Sequence, residues 1–234
     1  MNTFTSKNNI NLKFNRFFLI SGIIMAASEV WKQWYLTVCL NNGLYDWWYF
    51  PFQLCSIAMY ILLILPWIKS TCIRPALLSF LMNYSLLGGI AVFADTSGLH
   101  YPVPALTVHS YLWHILLILT GLAAGAACIS ENQGCKLSSR LFRNSTLIYL
   151  ACCAAAAGIN QVFDGFGDIN MFYINPDYDM QQIGFSALVH YIGNLPSIIL
   201  YILSTILGAF ILFHIWRLIA YGYQHFWGKN GKSR

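Results

Sequence analysis

Several side chains able to do chemistry sit inside apolar stretches of this chain: Glu29 with Lys32, Cys55, and the imidazoles His109 and His114. Ionisable groups in an apolar span are expensive and face a bundle interior or a cavity. Glu29 and Lys32 lie three residues apart, share a helical face and can pair. The pair either fixes helix packing or leaves Glu29 as a proton acceptor or as the orienter of a neighbouring His. His109 and His114 are five residues apart on one helix, so they point about 140° away from each other and do not readily serve one site. Thr107, Ser110 and His114 form a polar stripe, which makes His114 the better candidate for a lined cavity. His109 shares its face with Ala105, Leu112 and Leu116, and an interhelical hydrogen bond is the plainer role for it. Gln53 and Ser56 share a face with Tyr60, and Cys55 lies on another. Asn160 and Asp164, one turn apart, form either a solvated helix end or the lining of a pocket.

The chain's seven cysteines are Cys39, Cys55, Cys72, Cys128, Cys135, Cys152 and Cys153. An odd number without a C-x-x-C argues against a disulfide framework, a redox pair or a zinc site. Most read as small buried hydrophobes. There is no P-loop, dinucleotide fingerprint, H-E-x-x-H or nucleophile elbow, so neither a cofactor nor a metal is implied. The net charge of +5 comes from cations at span ends rather than from a patch, which excludes a nucleic-acid footprint.

The elements that must position these residues follow from composition. Hydrophobic residues make up 58% of the chain and charged ones 9%, with a mean hydropathy of +0.57. A soluble domain carries about a quarter charged residues, so most of this surface meets lipid. Spans in hydrocarbon are helices or closed barrels, and these long runs lack the alternation of barrel strands. The fold class is therefore all-α, a polytopic transmembrane bundle forming one domain over 1–234. Six spans are expected, roughly 17–38, 47–67, 75–94, 104–128, 141–163 and 196–221, each near the ~20 residues that cross the bilayer. Pro75, Pro104 and Pro196 mark helix starts, with Asn194 as a cap for the last.

The N-terminal segment (Lys7, Lys13, Arg16), the second loop (Lys69, Arg74), the fourth (Lys136, Arg140) and the C-terminal segment (Lys229, Lys232, Arg234) hold cations. The other loops hold aspartates. By the positive-inside rule both ends are cytoplasmic, and every cation except Lys32 falls on one side. The expected location is the bacterial cytoplasmic membrane, with membrane lipids as neighbours. Trp47–Phe50 reads as an outer aromatic belt, placing Cys55 about 10 Å below it on a continuous helix. The long outer connection 164–195 is expected to contain a short interfacial or re-entrant helix over its second half. The polar residues of spans 1, 2, 4 and 5 thus gather in the outer half, and the cytoplasmic half reads as scaffold.

Pro51-Phe52-Gln53-Leu54-Cys55-Ser56, His109-Ser110-Tyr111-Leu112-Trp113-His114, Glu29 in the first span and Asn170-Met171-Phe172-Tyr173-Ile174-Asn175-Pro176 resemble the YwaF-like bacterial integral membrane proteins. That family is related to eukaryotic transmembrane protein 164, an acyltransferase acting on phospholipid acyl chains. Bacterial members often carry His two positions before the cysteine, where this chain has Gln53. The resemblance implies a thioester intermediate on Cys55; read from the residues themselves, His114 is the candidate general base for that chemistry and Glu29 the candidate group to orient the imidazole. A thiolate is the nucleophile in such chemistry, and an adjacent imidazole generates it.

Two readings of function stand side by side. One is a lipid acyltransferase working through Cys55. The other is a non-enzymatic small-molecule binding or transport component, with Glu29, Lys32, Asn160 and Asp164 lining an outward pocket.

Overall fold

The computed structural model describes residues 2–131, 137–182 and 184–230; Cys135, Lys136, Lys232 and Arg234 lie outside them. Among the described residues every regular element is helical. The helices are α1 (Asn2–Trp34), α2 (Leu54–Ile64), α3 (Ile73–Phe80), α4 (Leu86–Ala91), α5 (Pro104–Glu131), α6 (Ser139–Phe163), α7 (Phe185–Ile192) and α8 (Asn194–Asn230). Three helical stretches are long and apolar enough to cross a membrane: Pro104–Glu131, Ser139–Phe166 and Asn194–His225. A shorter apolar helix runs over Leu54–Trp67.

Two of the expected helices are interrupted, and each interruption has a local cause. The stretch expected to run from Trp47 begins as an isolated 3-10 turn, Trp47–Tyr49, whose Trp48 amide donates to the Asp46 side chain. Proline disfavours helix in the residue before it, and Phe50 before Pro51 is extended at φ −53°, ψ 132°. The α-helix starts only at Leu54, so Cys55 occupies its first turn instead of lying deep in a continuous helix. The second interruption is a π-helical turn, Leu81–Ser85, between α3 and α4. The Asn83 side chain donates to the Ser79 carbonyl at 2.8 Å. That carbonyl is the one its own backbone amide would use in an α-helix, and such competition displaces the ladder. The displaced ladder leaves the Met82 carbonyl to accept from the Trp216 indole at 3.0 Å.

Lipid supplies no hydrophobic drive between helices, so close backbone approach and side-chain fit must hold a bundle of this composition. A Cβ on Gly22 of α1 would lie 3.0 Å from the Leu63 amide nitrogen of α2. Gly125 of α5 leaves the space that the Trp216 ring of α8 fills. Phe18, Met25, Leu62, Phe80, Tyr84, Tyr149 and Phe213 are fully buried, while Val30, Leu119, Leu203 and Leu218 face outward.

α1, α2, the α3–α4 pair, α5, α6 and α8 run alternately between two ends. One end is pinned by Arg74, which donates to Glu131 at 2.7 and 3.0 Å, to Asn15 at 2.8 Å and to the Leu65 carbonyl at 2.8 Å. The other end carries the connections 41–53, 92–103 and 164–193. In the last of these, α7 occupies the stretch where a short helix was expected, and its Phe185 meets Tyr201 of α8 with ring centroids 5.5 Å apart. The turn between α7 and α8 needs Gly193, at φ +85°. Asn194 begins α8, but its side chain serves the connection instead of capping the helix. It accepts from the Met180 amide and donates to the Pro176 and Tyr178 carbonyls.

Candidate functional site

Two contacts set the register of α1 against α2. Gly22 meets Leu62 and Leu63 at backbone distance, and Gln33 donates to the Tyr49 carbonyl at 2.6 Å. The helices are antiparallel, so seven residues on from Gly22 and seven back from Leu62, about 10.5 Å along each, Glu29 comes level with Cys55. Here Glu29 is buried and its Oε1 lies 2.8 Å from Lys32 Nζ. The same oxygen accepts from Gln33 at 2.7 Å. Gln33, one turn past Glu29, thereby ties the carboxylate to the chain entering α2.

Cys55 is partly buried, packs against the core and hydrogen-bonds the Ser56 side chain. Lys32 and Glu29 are both within its electrostatic reach. The first turn of a helix exposes unsatisfied amides and the positive end of the macrodipole.

The fifth helix approaches from the opposite side. The Trp31 and His109 rings are 5.7 Å apart, and His109 and Trp113 are equally close. Since α5 runs antiparallel to α1, His114 falls level with residue 26, within about 5 Å of the Glu29–Cys55 level. Helices α2 and α5 touch, and both His109 and His114 lie within electrostatic reach of Lys32. The two imidazoles thus fall under one charge although they diverge around α5.

Their hydrogen bonding differs. His114 Nδ1 lies 2.8 Å from the Ser110 carbonyl, an acceptor, so Nδ1 carries the proton and Nε2 keeps its lone pair. His109 Nε2 is buried without a partner among the described residues. The group that orients His114 is therefore the Ser110 carbonyl, while Glu29 is engaged by Lys32 and Gln33.

Gln53 and Asn160 do a different job. Gln53 accepts from the Phe172 amide at 2.7 Å and donates to the Asn170 carbonyl at 2.9 Å. Asn160 accepts from the Met171 amide at 2.7 Å and donates to the Met171 carbonyl at 3.2 Å. Each amide acts as a substitute peptide group, satisfying a buried main chain whose own regular structure is a single short turn, Met171–Tyr173. Asn175 extends the arrangement through the Ile169 carbonyl and the Asn170 side chain. Asp164 is exposed in the turn that closes α6.

The sequence reading passed over three phenols. Tyr101, Tyr173 and Tyr201 each lie within electrostatic reach of Cys55. Burial pushes the Tyr101 and Tyr173 phenols up, Tyr173 to about 12, so both stay neutral. These tyrosines come from three separate stretches, and only Tyr173 falls in a motif that drew notice. An open crevice of about 390 Å³ at the same end is lined by Asn41, Tyr45, Asp46, Trp47 and Asp168. None of the expected site residues lines it.

No protein-family model, curated protein or solved structure matches the chain.

Proposed function

We propose that the chain is a six-span integral membrane protein of the bacterial cytoplasmic membrane, with both ends inside, acting as a YwaF-like acyltransferase. Its substrate class is the fatty acyl ester of a membrane lipid. The observation that carries this reading is Cys55 in the first turn of α2, level with the Glu29–Lys32 pair and under the charge of Lys32. The free Nε2 of His114 supports it.

In this reading His114 Nε2 takes the Cys55 proton, directly or through one water. The thiolate adds to the ester carbonyl, and the carbonyl π pair moves to oxygen. Collapse expels the lysolipid alkoxide, which takes the proton from the His114 imidazolium, and the acyl group remains as a thioester. Attack by a second lipid hydroxyl, deprotonated by His114, returns the thiol. Lys32 holds the thiolate by charge, and Glu29 with Gln33 holds Lys32 in place.

A long-chain p-nitrophenyl ester, followed by mass spectrometry of the detergent-solubilised protein, tests the reading. Cys55 is expected to carry the acyl group selectively among the seven cysteines. His114→Ala should slow that labelling by about 10²-fold or more, the usual size of a general-base contribution. Labelling spread evenly over the cysteines, or indifferent to His114→Ala, overturns the proposal.

A further inference from the structure

Phe172 and Tyr173 are consecutive bulky residues in the left-handed region, at φ +58° and +57°. Such conformations are disfavoured for large side chains and persist only where the surroundings impose them. Here two helices impose them. Gln53, entering α2, brackets the turn through the Phe172 amide and the Asn170 carbonyl, and Asn160 of α6 holds both polar groups of Met171. The Phe52 and Phe172 rings lie 5.9 Å apart. Whatever this turn presents is therefore delivered to the first turn of α2, because Gln53 stands two residues before Cys55.

Met171, Phe172, Ile174 and Asn175 are all buried, while Tyr173 between them keeps accessible surface. The clamp thus fixes a buried turn around one residue, Tyr173, that is only partly buried. Gln182 lies beside its phenol.

We infer that Tyr173 is the oxyanion donor of the Cys55 site, its hydroxyl hydrogen-bonding the acyl carbonyl oxygen as the thiolate adds, with Gln53 as the positioning residue that holds it there. The inference rests on the acyltransferase reading. When sulfur bonds to the carbonyl carbon, the C=O π pair becomes a full negative charge on oxygen, and a fixed neutral donor is worth most at that moment. The phenol keeps its proton throughout, and collapse of the adduct restores the carbonyl as the alkoxide leaves. A strained turn suits such a donor, since its position does not depend on substrate binding.

Two reagents on one thiol separate this role from a structural one. Acylation of Cys55 by the p-nitrophenyl ester passes through an oxyanion; alkylation by iodoacetamide displaces iodide from carbon and does not. Tyr173→Phe is expected to slow acylation by about 10²-fold or more while alkylation changes by less than about twofold, in line with the loss of one oxyanion donor. Gln53→Leu should give the same split at smaller size. Equal loss in both reactions shows that Tyr173 only shapes the site, and no loss in either shows that it has no part; both results overturn the inference. A wild-type protein in which Cys55 is alkylated but never acylated overturns the underlying reading, and this inference falls with it.

Discussion

The two ends of the bundle each bury an ion pair, and the pairs differ in what they leave unsatisfied. Arg74–Glu131 and Lys32–Glu29 are about equally buried, with side-chain exposures of 13% and 16% in the first pair and 14% and 6% in the second. The guanidinium donates to both oxygens of Glu131, to Asn15 and to the Leu65 carbonyl, joining α1, α3, α5 and the end of the second helical stretch. Among the described residues Lys32 has one hydrogen-bonding partner, on its own helix, with Cys55, His109 and His114 under its charge. A bidentate, fully engaged arginine is a geometric clamp, whereas a lysine is a point charge able to serve a second anion. Saturation marks the scaffold end, and residual bonding capacity marks the candidate site. Asn15 and Glu29 stand fourteen residues apart on α1, about 21 Å, so the two pairs can be perturbed separately.

Arg74→Ala is the largest test of that contrast. It leaves Glu131 buried without its cation, and breaking a buried pair in this way costs about 3–5 kcal/mol. Thermal unfolding in detergent should show a large drop in midpoint, while Cys55 alkylation at a temperature below the transition keeps its wild-type rate. A change in that rate would mean that the clamp also shapes the site.

The clamp also shows where sequence legibility ends. Continuous apolar composition announces a helix wherever it occurs, and Pro104 and the run from Leu141 placed α5 and α6 to within three residues at either end. Glu29–Lys32 was legible because three residues on a helix is a contact distance. Arg74 read only as an orienting charge, because its partner Glu131 lies 57 residues away and nothing local announces it. Gln53 and Phe172, 119 residues apart, are another such case. The break at Phe50–Gln53 was announced by Pro51 but outweighed by the apolar run around it. The π turn at Leu81–Ser85 depends on one asparagine amide choosing a backbone carbonyl, which periodicity does not register. The all-helical class was therefore readable from composition, and the arrangement of the candidate site became readable only once side chains distant in sequence had met.

Lys32→Met perturbs the other pair and should behave oppositely. Glu29 keeps its hydrogen bond from Gln33, whereas Glu131 loses the Arg74 donors to both of its oxygens, so the stability loss should lie below that of Arg74→Ala. The reactivity effect should be the larger. Removing a cation whose charge favours the thiolate lowers the thiolate population, so the rate of alkylation should fall. Alkylation and acylation of Cys55 should slow together, since both need the thiolate. That separates Lys32 from Tyr173, whose loss should affect acylation alone. Unchanged alkylation in Lys32→Met would place the lysine among the scaffold charges and collapse the distinction between the two pairs.

The smallest effect belongs to the polar seam between the ends. Ser79 of α3 donates to Ser145 of α6 at 3.1 Å, Ser145 donates to the Phe142 carbonyl at 2.8 Å, and Asn83 donates to Ser79 at 3.1 Å. Ser79, Asn83 and Ser145 are all fully buried, so by burial alone this seam resembles a site more than Cys55 does. The bonds of its two hydroxyls are instead mutual and replaceable, although Asn83 Oδ1 is buried without a partner among the described residues. Ser145→Ala removes one acceptor for Ser79, whose hydroxyl can turn to a carbonyl of its own helix, and the cost should be near the ~0.6 kcal/mol typical of interhelical hydrogen bonds in membranes. The unfolding midpoint should fall only slightly, and both Cys55 reactions should be untouched. A loss of several kcal/mol, or a change in Cys55 labelling, would show that the seam transmits to the site. Burial of polar groups would then be the better guide to function, and residual bonding capacity the poorer one.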